Sequence, residues 1–199
     1  MANDIKEVAI DADFFRKLTE HDKDGILFMK IMKELNRKPV MHEYVFDYEL
    51  GDSSAVKQLH KQGDIIVYKH GDYIQDAEQY RTLFATAYQY FNYKEFKGDV
   101  LGYHHEKESL GEIRTSIMAY NMGIDLFLSD DGEAKAYVFN RLNSRKHKID
   151  VYNLYDTLKV VGEMRDRQLK WSEIKGMAKV AFAKTKERYD SINHIWHKE

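Results

Sequence analysis

The chain has 199 residues, 43% of them hydrophobic, and a formal net charge of -2. That length supports one compact domain with a real core. The absence of cysteine excludes disulfides and thiolate metal sites, and it fits a reducing cytosol.

A single proline, few glycines and long periodic runs favour a helix-rich protein. The opening MANDIKEVAI is charged and lacks an apolar h-region, so no secretory signal is expected. The longest apolar runs, such as Ile26-Leu27-Phe28-Met29, are far too short to cross a bilayer. Val8-Ala9-Ile10 predicts a central parallel strand, with Asp11 at its C-terminal end either as a ligand or as the cap of the next helix. A helix is expected over residues 25–35, with Ile26, Met29, Ile31, Met32 and Leu35 largely on one side. Pro39-Val40-Met41 predicts a brief second strand. Residues 43–50 then read as a helix carrying Glu49, the carboxylate placed in a site, with Glu43 as the competing choice. Residues 53–61 predict a short helix and Ile65-Ile66-Val67-Tyr68 a third strand.

From 76 to 96 the pattern is helical and rich in aromatics, including Tyr80, Phe84, Tyr88, Tyr93 and Phe96. Such a stripe is core packing, or, beside Lys94 and Lys97, a surface for stacking bases. Residues 98–108 read as a loop. Its His104-His105-Glu106 is a poor metal motif, because adjacent side chains diverge on either regular element.

The most informative stretch is SLGEIRTSIMAYNMGIDLFLSDDGEAKAY, residues 109–137. Ser109 and Glu112 have capping-box spacing. Ile113, Ile117 and Tyr120 give a helical face, and Gly123 stands where a left-handed C-cap belongs. Residues 124–128 predict a buried strand, ending in Ser129-Asp130-Asp131. Ligands of open α/β sheets bind outside the carboxyl ends of strands. Adjacent carboxylates there are a candidate site for a hard divalent cation.

A helix is expected over 132–143, a basic loop over 144–148, a last strand over 149–155, a further helix or turn from Asp156-Thr157 and one long C-terminal helix over 171–196. Residues 1–140 hold 17 Lys/Arg against 25 Asp/Glu, whereas 141–188 hold 13 against 6. An acidic body with a basic C-terminal part suits a carboxylate metal site beside a phosphate-binding surface; the plainer reading is a solvated, Lys-rich helix.

The order of these acids resembles the PIN-domain nucleases over about residues 8 to 156. The resemblance rests on Val8-Ala9-Ile10-Asp11, on Val45 and Glu49-Leu50, and on Gly111-Glu112, Ala119, Gly123, Asp125 and Ser129-Asp130-Asp131. The segment between Glu49 and Glu112 is longer than in minimal PIN domains, and the tail from about 157 has no counterpart. The resemblance implies an α/β fold of three α/β/α layers around a mostly parallel sheet, with the nuclease domain over 1–156 and a helical extension over 157–199 packed on it. It implies catalytic Asp11, Glu49, Glu112 and Asp130, with Mg2+ or Mn2+ held by Asp11, Glu112, Asp130 and Asp131. It implies hydrolysis of RNA, with Arg145, Lys146, Lys148, Lys175 and Lys179 binding the nucleic acid. A cytoplasmic site of action, a homodimer and an antitoxin-like protein partner belong to the same picture. Two rivals stand beside it. Asp11-Ala12-Asp13 after an apolar strand is the Asp-x-Asp of a haloacid-dehalogenase-type phosphatase, with Asp11 as nucleophile and Asp13 as general acid. The other rival is a catalytically inactive PIN-like module that binds protein or RNA.

Overall fold

Five parallel strands form one sheet in the order β3-β2-β1-β4-β5. They are β1 (Lys6–Ile10), β2 (Arg37–His42), β3 (Ile66–Tyr68), β4 (Leu126–Leu128) and β5 (Asp150–Tyr152). This is a computed structural model, and it describes residues 5–91 and 109–197. The expectations placed on Tyr93, Lys94, Phe96, Lys97 and His104-His105-Glu106 lie outside the described residues.

Helices cover both faces of the sheet, as the three-layer expectation requires. Alternation along each strand divides the core. Val8 and Ile10 of β1, Met41 of β2 and Leu126 and Leu128 of β4 pack into one cluster. That cluster joins them to α1 (Ala12–Thr19), α2 (Ile26–Glu34), α3 (Ser54–Lys61), α7 (Leu154–Glu163), α8 (Trp171–Ala181) and α9 (Lys186–Trp196). Ala9, Val40, Phe127 and Val151 point the other way, into α4 (Ala77–Phe91), α5 (Leu110–Met122) and α6 (Gly132–Tyr137). Both sheet faces are dry, which is why the strands read as nearly continuous apolar runs. Among the described residues of the aromatic stripe, Tyr80, Phe84 and Tyr88 are buried in the core. Among the described residues, no helix is long and apolar enough to cross a membrane.

Several local expectations are corrected. The segment after β2 is a π-helical turn, Val45–Glu49, closed by Leu50 N–H donating to Val45 C=O at 2.9 Å. A second π turn, Val138–Leu142, ends the helix that begins at Gly132. The last strand stops at Tyr152, because Asn153 caps α7: its Oδ1 accepts the Asp156 N–H at 2.8 Å, and Asp156 returns the bond. Leu154 and Tyr155 are therefore helical, and α7 runs across the boundary expected at 156/157.

The single C-terminal helix is two, α8 and α9, broken between Phe182 and Thr185. A straight helix over 171–196 would be about 39 Å long and would carry its end away from the core. Instead α9 folds back on α7. Trp196 is buried, and its indole N–H donates to Leu158 C=O at 2.9 Å. Gly162 admits the ring; a Cβ there would collide with it.

Candidate active site at the sheet's switch point

The strand order reverses direction between β1 and β4. In such sheets the crevice at the carboxyl ends of those two strands is the ligand site. Asp11 stands there. Its N–H continues the ladder to Leu128 C=O at 3.0 Å, and its side chain is buried. One carboxylate oxygen caps α1 by accepting the Ala12 N–H at 2.7 Å, and the other accepts the Ser129 hydroxyl at 3.1 Å. Asp11 is thus the cap of α1, and both of its oxygens accept from the protein. Burial, then Glu112 and Glu49, push its carboxyl well above the usual range.

Glu49 arrives from the first π turn. Burial and the Glu112 charge push its carboxyl up to about 7. The Gly111 N–H holds it in place. This contact replaces the expected capping box. Ser109 adopts a left-handed backbone (φ 70°) and makes no side-chain cap. The open N-terminus of α5 receives a carboxylate from a different element instead. Gly111 makes that approach feasible, because a Cβ there would be driven into the Glu49 carboxylate oxygens.

Glu112 follows on the first turn of α5. Burial, then Asp131 and Asp13, raise its carboxyl, while its own backbone N–H and Arg16 pull the other way. Arg16 reaches over the rim: it pairs with Asp13 at 3.0 Å and donates to the Glu49 backbone carbonyl. The arrangement joins Asp11, Glu49 and Glu112 as three mutually repelling acids, with Asp13 and Asp131 at their edge.

Asp130 is placed differently from its expected role. One oxygen accepts the Leu154 N–H at 3.1 Å, at the start of α7. The other lies 3.2 Å from the Lys17 ammonium, as an ion pair without directed hydrogen-bond geometry. From this loop it is Asp131 that acts most strongly on Glu112. Asp131 also caps α6, accepting the Glu133 and Ala134 N–H groups at 2.6 and 3.3 Å. Glu43 accepts the His70 N–H at 2.8 Å, whereas Glu49 is the one of the two whose charge acts on Asp11.

The basic residues are not gathered at this site. Arg145, Lys146 and Lys148 lie on the loop entering β5, at the opposite edge of the sheet from Asp11. Lys148 pairs with Asp150 at 2.8 Å. Lys175 and Lys179 lie on the exposed side of α8. Among the described residues, Arg16 and Lys17 are cations that reach these acids, and sequence reasoning missed them. Their signal was available, as they lie on the helix that Asp11 caps.

The donor set fits a hard divalent cation, which prefers carboxylate oxygens and relieves their repulsion. Among the described residues, no three of the His, Asp and Glu side chains already converge into ligating positions. Loading a cation therefore calls for side-chain rotation, most of all at Asp130, which must leave Lys17 to take part. No family model, no curated protein and no solved structure matches the chain.

Proposed function

We propose that the chain is a metal-dependent ribonuclease acting at the β1/β4 crevice. The observation that carries the reading is the trio Asp11, Glu49 and Glu112: one buried and two half-buried acids at the switch point, each with its carboxyl raised by burial and by neighbouring acids. Such perturbed carboxylates in a sheet crevice mark functional sites. A bound Mg2+ or Mn2+ would neutralise them and stabilise charge on the phosphoryl oxygens of an RNA phosphodiester.

The chain's own groups have definable tasks. Asp11 is fixed by the Ala12 N–H and the Ser129 hydroxyl, so its orientation is set before substrate arrives. Glu49, titrating near neutrality, is suited to accept a proton from an attacking water. Glu112 sits at the N-terminus of α5, whose partial positive charge favours an anion. Arg16, on the rim, offers a cation to the substrate backbone.

The phosphatase reading is less well supported. It uses Asp11 and Asp13 but has no task for Glu49 and Glu112, the charges that act most strongly on Asp11. Asp13, its general acid, is turned out to solvent and paired with Arg16.

The test is calorimetric Mn2+ titration of the full chain, followed by RNA cleavage assays. Glu112→Gln is expected to abolish binding, and Asp13→Asn to retain most of it. Wild-type Mn2+ affinity in Glu112→Gln would make Glu112 a structural acid and would sink the proposal.

A further inference from the structure

The π turn that delivers Glu49 also carries Tyr48, and Tyr44 immediately precedes it. Tyr44 and Tyr48 stack with ring centroids 5.1 Å apart and planes 28° from parallel. Arg114, buried one turn beyond the start of α5, lies 5.1 Å from the Tyr44 ring centroid. The series therefore runs from a buried guanidinium, through Tyr44, to Tyr48, which is 63% exposed. Its base is rigid. The Tyr44 N–H donates to His42 Nδ1 at 2.9 Å, so the neutral, fully buried His42 ring must carry its proton on Nε2, which donates to the Tyr73 oxygen at 2.9 Å. Tyr44 also lies within the electrostatic reach of both Glu49 and Glu112, which places the stack beside the acids.

An exposed tyrosine alone means little. This one differs because stacking on Tyr44 has already ordered the ring, so a partner that covers it pays less of the usual cost of immobilising a side chain. The flat partner that an open aromatic ring favours, next to a site reading phosphodiesters, is a nucleobase. A base stacked within a duplex has no free face to offer. We propose that Tyr48 is a positioning residue that seats one unpaired nucleobase beside the carboxylates. This rests on the ribonuclease reading and specifies how this chain would hold its substrate.

Binding and cleavage are measured separately, so that the two readings fail separately. Binding uses the full-length chain carrying Asp11→Asn, to prevent turnover, with Mn2+ present. The ligands are a fluorescein-labelled oligouridylate, the same chain with abasic riboses, and an RNA duplex. Tyr48→Ala, added to this background, is expected to weaken oligouridylate binding tenfold or more and Tyr48→Trp to preserve it, while binding of the abasic chain and the duplex stays unchanged. A 2-aminopurine base in the single strand is expected to be quenched on binding, and Tyr48→Ala to remove the quenching. Circular dichroism checks that each variant is folded.

Equal affinity for oligouridylate with and without Tyr48, equal losses for the ordinary and abasic chains, or no single-strand binding at all would each overturn the proposal. Base-dependent binding by the background, with no cleavage by the wild type in any divalent metal, keeps the platform and removes the ribonuclease reading. Wild-type cleavage with binding indifferent to Tyr48 does the reverse.

Discussion

The two edges of the sheet carry the same residue types in opposite electrostatic states. At the amino edge Asp125 meets Lys6 at 2.9 Å and the guanidinium of Arg37. Despite some burial, hydrogen bonds from those two cations hold its carboxyl below the usual range. At the carboxyl edge Asp11, Glu49 and Glu112 are more deeply placed and are all raised, with other acids among the causes in each case. Folding on its own favours the first arrangement, since an acid gains stability when its charge is matched. The second carries an electrostatic cost that only a ligand or a proton relieves. An acid's identity and position along a strand do not separate the two edges; the direction of its pKa shift does.

The largest expected effect comes from removing the central acid. Asp11→Asn keeps the shape and one hydrogen-bonding oxygen but removes the charge. Changes to groups that only support a metal ligand cost about 10- to 100-fold, so cleavage of single-stranded RNA should fall by at least the upper figure. Unchanged turnover would dissolve the contrast between the edges. The next effect is on stability. Glu49 is raised from 4.5 to about 7, so its contribution is fully present below its unfolded pKa and is lost as pH rises through about 7. Glu49→Gln should therefore stabilise the metal-free chain at pH 8 by on the order of 1–3 kcal/mol, after allowance for partial exposure, and do little at pH 4. Urea unfolding at the two pH values measures this. Saturating Mn2+ should erase the gain, because wild type alone recovers the binding energy.

Gly111→Ala separates site from scaffold. Alanine inside a helix is favourable by up to about 1 kcal/mol, and the atoms that its Cβ meets belong to the end of one flexible side chain. Melting temperature should hold or rise. Glu49 must leave the α5 N-terminus, so Mn2+ affinity should fall about tenfold. A fall in stability with intact metal binding would mean that Glu49 serves α5 rather than the site.

Much of this was legible in the sequence where the cause is local. Val8-Ala9-Ile10 with Asp11 announced both a buried strand and a cap, and Gly123 announced the end of α5, whose left-handed φ of 70° it adopts. What was illegible depends on partners distant in the chain. Ser109 and Glu112 have the spacing of a capping box, but the α5 N-terminus is met by Glu49, from another element. The break after Phe182 is set by Trp196 finding Gly162 and Leu158, and nothing within 171–196 records that. Both π turns escaped because one extra residue per turn shifts the apolar period without erasing it. The stack of Tyr44 and Tyr48 follows from the first of these turns. Asp130 and Asp131 were equivalent as letters; only the approach of Lys17 and the start of α7 separate them.

The smallest effect belongs to the amino edge, and it runs in the opposite sense. Asp125 is lowered, so its stabilisation is present above the ordinary carboxylate pKa and is lost as pH falls through its folded value. Its side chain is 40% exposed, and solvent screens the pairs with Lys6 and Arg37. Asp125→Asn should cost only about 0.5–1 kcal/mol at pH 7, should cost less near pH 2, and should leave Mn2+ binding untouched. Urea unfolding at both pH values, set beside Glu49→Gln, gives two pH profiles of opposite slope. Matching slopes would mean that the acids at the two edges are equally compensated, and the carboxyl edge would lose its claim to be the site.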